Sequence, residues 1–227
     1  MTAVLAAAWF TLPLGVSILL FAHLGEVSDW LRGHGSMGAF VGAGAFAVAA
    51  GIGLLPTYAQ AVLMGWVFGF ATGTGVSVAG YVGGALIGWS FSRLVAGDSV
   101  RALIDRQPRW GVVRAALVEA SAPRTAFLVA LLRFPPNSPF AFTNLVLAAT
   151  GVRFLPMIAG SIAGMLPRTA VACWVGAQAA STGAKDLAEL MKKQGPMAIV
   201  IGVVLLVAAL AVMQQIGKRA LRAAGIG

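Results

Sequence analysis

The stretch 126–150, AFLVALLRFPPNSPFAFTNLVLAAT, constrains the fold of this chain more than any other. An apolar run is interrupted at its centre by Arg133, Pro135, Pro136 and Pro139, then resumes through Phe140 and Phe142. Each proline removes a backbone donor and clashes with the preceding turn, and the residue before a proline is pushed out of the α region. Backbone broken at membrane depth is tolerated only where protein or water surrounds it. A charge there costs about 2.5–3.5 kcal/mol on insertion scales. The pattern predicts two half-helices that dip into the membrane and return, with a cationic elbow between them.

The rest of the chain supports a membrane setting. It is 59% hydrophobic and only 10% charged, with a mean hydropathy of +0.89, which excludes an ordinary soluble domain. The single cysteine, Cys173, excludes a disulfide or thiolate cluster within the chain and reads as a buried thiol. A net charge of +9 would suggest nucleic acid for a soluble protein. Here its distribution points to lipid head groups and topology, with no nucleic-acid partner. The expectation is one all-α integral membrane protein. Residues 1–36 form a first helix and outer loop, 37–180 a core, and 181–227 a last helix and basic tail.

Full spans are predicted at Ala3–Leu24, Gly73–Phe91, 154–177 and 196–214, since about 20 apolar residues cross a ~30 Å core. The first lacks a basic n-region and reads as a retained helix. Met37–Phe70 is broken at Gly51–Thr57, so a second hairpin is expected there with its elbow near Pro56. The positive-inside rule tests this layout. Region 97–124 carries Arg101, Arg106, Arg109, Arg114 and Arg124, and the C-terminus carries Lys218, Arg219 and Arg222. With both inside, two spans already return the chain to its starting side, so 126–150 must dip and return. The same parity applies to 37–70, and Lys192 and Lys193 fall outside. The outcome is four full helices and two opposed re-entrant hairpins, an inverted-repeat arrangement with both termini cytoplasmic.

Arg133 admits two readings: a long cation snorkelling to the interface, or an elbow residue whose planar fork pairs with phosphate. Asn137, Ser138, Thr143 and Asn144 add hydrogen-bonding groups beside it. Arg168, after Pro167 in an apolar helix, is either a second half of a phosphate clamp or an interfacial anchor. Phe134, Phe140 and Phe142 read as packing residues. Gly65, Gly69 and Gly73, then Gly80, Gly84 and Gly88, then Gly160 and Gly164 recur every fourth residue, spacing that lets helices touch. Internal packing and dimerisation both remain open for them.

All seven acidic residues lie in polar stretches, and the two histidines, His23 and His34, flank the first polar loop. Proton coupling generally uses an intramembrane acid or histidine, a buried serine nucleophile needs a paired base, and Mg²⁺ needs clustered carboxylates. None of these patterns occurs, so no enzyme chemistry and no cofactor is expected.

Two runs carry a family resemblance. Leu55-Pro56-Thr57, followed by Gly65, Phe68 and Gly69, leads into a glycine-rich helix ending Phe91-Ser92-Arg93. Leu132-Arg133-Phe134-Pro135-Pro136, then Pro139-Phe140, Asn144, Thr150-Gly151-Val152, Phe154, Gly164 and Pro167 form the more specific run. Over residues 40–180 the chain resembles the VTT-domain superfamily, which groups DedA and TVP38-like proteins. The resemblance implies opposed re-entrant loops and movement of phospholipid or polyprenyl-phosphate across the bilayer. It puts Pro56 with Thr57 in the first loop, and Arg133, Pro135, Pro136, Pro139 and Asn144 in the second. DedA members place an acid in or near the first loop. Gly51–Phe70 has none, which sets this chain closer to the TVP38-like branch. Membrane lipids with anionic head groups, and a possible second copy, are the expected partners. A small-anion transporter and a non-transporting scaffold are the rival readings.

Overall fold

The computed structural model describes residues 2–91, 117, 120–135 and 140–223. Among these, every regular element is helical. Arg93, the arginines at 101–114, Pro136, Asn137, Ser138 and Pro139 lie outside the described residues.

The chain opens with α1 (Thr2–Ala22), which bends by 68° into α2 (Leu24–Gly33). The expectation of a polar loop at 25–36 is therefore corrected. Leu24, Ser28 and Leu31 recur at helical spacing, so α2 buries one face and leaves Glu26, Asp29 and Trp30 outside. Helix α3 (Gly35–Gly51) follows, then a break closed by Pro56, then α4 (Thr57–Phe91).

Helix α4 is not one rod. Gly69 sits at φ 75°, ψ 179°, a region essentially reserved for glycine. A Cβ on Gly73 would lie 2.7 Å from the Met64 carbonyl carbon, although nine residues of straight helix would separate them by about 13 Å. The chain therefore folds back at Gly69 into a short arm, 57–68, and a long arm, 70–91. The break would strand the last carbonyls of the short arm. Arg32 of α2 takes two of them, donating from Nη2 to the Trp66 oxygen at 2.6 Å and from Nε to that of Val67 at 3.1 Å.

The second half repeats the plan: α5 (Ala122–Arg133), a break, the short α6 (Phe140–Ala149), a turn with Gly151 at φ 84°, and the long α7 (Phe154–Ser181). Glycines bring these pieces together, as their spacing predicts. Phe46 and Ala50 of α3 press on Gly80 and Gly84 of the long arm of α4, while Val129 and Ala130 of α5 press on Gly160 and Gly164 of α7. Each first arm thus packs on the long helix of its own half. The short second arms cross over. Gly65 meets the Cys173 backbone of α7, and Asn144 of α6 meets Gly88 of α4. Trp89 stacks near Phe154 at 5.1 Å while Ser77 touches Cys173 at 3.4 Å, so the two long helices run antiparallel.

The mixed-charge segment after α7 forms α8 (Leu187–Gln194). Asp186 accepts from the Glu189 N–H, and Glu189 accepts from the Lys185 N–H, both at 2.7 Å, a reciprocal cap. Lys193 bonds Glu189 at 2.9 Å and holds its carboxyl below the usual carboxylate range. Helix α9 (Pro196–Ala223) runs past the expected end at Gln214.

Thr57–Phe91, Phe154–Ser181 and Val200–Ala220 are long and apolar enough to cross a membrane, and the bent α1–α2 pair raises the number to four if counted as one span. Within Thr57–Phe91 the long arm alone, about 22 residues and roughly 33 Å, suffices. The protein is an all-helical, multi-pass membrane protein.

Candidate site at the second break

Arg133 is the last residue of α5 and is 3% exposed. It does not reach outward. Its Nη2 donates to Oδ1 of Asn144, its Nη1 to the Phe140 carbonyl at 3.5 Å, and its guanidinium lies 5.0 Å from the Phe140 ring centre. Both acceptors belong to the first turns of α6, so the side chain ties the two arms of the break together. Gly164 permits this: a Cβ there would come within 2.9 Å of the Arg133 Cβ.

Arg168 approaches the same break from α7 and is 4% exposed. Its Nη1 donates to the Pro135 carbonyl at 3.3 Å, and the guanidinium covers the Tyr58 ring at 5.2 Å. Tyr58 opens the short arm of α4, so Arg168 bridges the starts of both short arms. Tyr81, fully buried on the long arm of α4, also stands within electrostatic reach of Arg168. The two arginines, like in charge, repel one another.

Two features make this more than packing. Among the described residues the ion pairs are His23–Glu26 and Lys193–Glu189, neither of them here; no described carboxylate pairs with either arginine. Buried charges are ordinarily paired. Among the described residues, several buried donors also find no partner: Nε of Arg133, Nε of Arg168, Nδ2 of Asn144 and the Tyr81 hydroxyl. An arrangement of spare donors and two like charges complements an anion with several acceptor oxygens.

The structure brings together Arg133, Pro135, Asn144 and Arg168. Thr57 is buried beside Tyr58, whereas Pro56 is exposed at the first break. Pro136 and Pro139 lie outside the described residues. Sequence reading missed Tyr58 and Tyr81, and it assigned Phe140 to packing alone. A signal was present: these are the only two tyrosines of the chain, both in apolar helices, and a tyrosine hydroxyl normally finds a partner when buried.

The model of the VTT domain matches residues 55–178. No curated protein and no solved structure matches the chain.

Proposed function

The chain belongs to the VTT-domain family, and on that premise we propose that it moves lipids across the bilayer without covalent chemistry. Phospholipid or polyprenyl-phosphate head groups pass through a polar path at the second break while their tails stay in lipid. The observation that carries this reading is the pair of buried guanidiniums with no described carboxylate between them. A phosphate fits the spare donors, and hydrogen bonds to charged groups contribute roughly 1.5–3 kcal/mol each, enough to offset the cost of holding charge at depth. A carrier must also release its cargo, which argues for neutral tyrosine and asparagine partners beside the arginines.

In this reading the two broken segments are re-entrant hairpins entering from opposite faces, and the antiparallel long helices are the halves of an inverted repeat. Both termini are cytoplasmic, the membrane is the cell's inner one, and the chain groups with the TVP38-like branch. A second copy is compatible with the exposed apolar faces of α1 and α9.

The test is transbilayer movement of fluorescent phospholipid in reconstituted liposomes. Wild type should expose inner-leaflet probe to external reductant, and Arg133→Ala should not, with both eluting as folded protein. Equal movement by the two proteins would remove Arg133 from the path. Saturable uptake of soluble phosphate without lipid movement would favour a small-anion carrier instead.

A further inference from the structure

We infer that the C-terminal end of α9 is a lid over the arginine site, seated on the second break through Gly217 and able to rock away from it; the inference rests on the reading of that site as one that takes up and releases a ligand. The need for a lid comes from burial. Arg133 and Arg168 are 3% and 4% exposed, and Asn144 and Tyr81 are fully buried. No anion reaches their free donors unless some element moves aside. Elements that open are those held by the fewest buried contacts. Helix α5 is locked to α7 at Gly160 and Gly164, and the short arm of α4 to α7 at Gly65 and Gly176, all close backbone approaches. Helix α6 is tied to α5 by Arg133 itself.

Helix α9 is held least. Between Val200 and Ala220 its one buried residue is Gly217, and Val203, Val204, Val207, Val212 and Ile216 are all exposed. Leu206 packs, half-buried, on the cluster of Ala61, Ala172 and Cys173. Three turns on, about 16 Å along the helix, Gly217 meets the break. A Cβ there would lie 2.7 Å from Cγ of Pro135 and 3.3 Å from Cδ1 of Phe134, so the backbone of α9 rests on the elbow itself. Pro135 joins lid and site, because its ring carries Gly217 while its carbonyl accepts from Arg168 at 3.3 Å. The base of α9 can absorb a rocking motion about Leu206. Gly195, just before Pro196, stands at φ 73°, ψ 163°, and α8 ahead of it is fixed by its cap and by Lys193 on the Gly183 carbonyl at 2.7 Å. A fixed helix, one glycine and a long, lightly held helix are the parts of a hinge.

The experiment locks the lid in the full chain with Pro135→Cys and Gly217→Cys, whose Cβ atoms fall within the ~3.5–4.5 Å that a disulfide spans. Movement of fluorescent phospholipid in liposomes is followed by albumin extraction, which reduces no disulfide. The oxidised protein should lose most of its lipid movement, and reductant should restore it. Equal rates in the two forms would overturn the lid. Gly217→Leu, which pushes α9 off Pro135, covers the case in which the cysteine pair does not fold, and it is read without any lipid. A small thiol reagent should modify Asn144→Cys several-fold faster when Gly217→Leu is present, with labelling of the buried Cys173 unchanged. Equal rates at residue 144 would overturn the lid even where wild type moves lipid, and an equal rise at Cys173 would overturn it as general loosening. Faster labelling at residue 144 alone, in a protein that moves no lipid, would keep the lid and remove the transport reading instead.

Discussion

At the scale of single residues, Arg133 and Arg168 carry buried charge with no counter-charge among the described residues. Removing one partner of a buried ion pair typically costs 3–5 kcal/mol, because the other is stranded. Arg168 has no such partner among the described residues; it meets the Pro135 carbonyl and the Tyr58 ring. Arg168→Met should therefore lie within about 1 kcal/mol of wild type in anion-free neutral detergent, where chemical denaturation reads the difference. A loss of several kcal/mol would mean a structural arginine. Tyr58→Phe keeps the ring beneath Arg168 and removes only the hydroxyl. It should weaken binding of an anionic short-chain phospholipid by about 1 kcal/mol, roughly fivefold, with no loss of stability. Arg133 and Arg168 were legible in the sequence because a guanidinium inside an apolar run is rare. That both approach one break was not legible, since 35 positions in the chain and helix α6 separate them. Nor was the role of Arg32, which in sequence is one charge of a near-neutral polar loop and in the fold caps a helix from another element.

At the scale of elements, glycine decides where helices turn and how closely they pack. Gly69→Ala must hold a Cβ at φ 75°, ψ 179°, a strain of about 1–3 kcal/mol, and should lower the unfolding free energy by that amount. Gly164→Val is predicted to do something different. Its side chain would collide with the Ala130 and Arg133 region of α5 and displace the arginine, so lipid movement should fall even if chemical chaperones or lower temperature restore the folded yield. Normal movement in folded Gly164→Val would separate the glycine seam from the site. The fourfold glycine spacing foretold close packing, yet not the crossed pattern in which each short arm packs on the other half's long helix. Proline positions foretold the breaks at Pro56 and near Pro135. They could not foretell the reversal at Gly69, because the apolar run continues through it without a proline or a charge. Helix α2 was missed for a related reason: its charges balance, and the periodic burial of Leu24, Ser28 and Leu31 is short.

At the scale of the whole molecule, topology and transport meet. The proposed layout puts α8 outside and the end of α9 inside, so cysteines replacing Lys193 and Lys218 should react with a membrane-impermeant thiol reagent from opposite faces of sealed cells. Cys173 is fully buried and contributes no background. Labelling of both from one face would end the parity argument, and with it the opposed hairpins. The proposed site itself is narrower: a phosphate-bearing head group held between Arg133 and Arg168. It is tested most directly by titrating a short-chain anionic phospholipid into the full-length protein in neutral detergent and following its unfolding free energy. Wild type should gain about 2.7 kcal/mol when the lipid reaches roughly a hundred times its Kd, while the double variant Arg133→Met, Arg168→Met should gain almost nothing at the same concentration. An equal gain in both proteins would contradict the claim, because the anion would then be held somewhere other than between the two arginines.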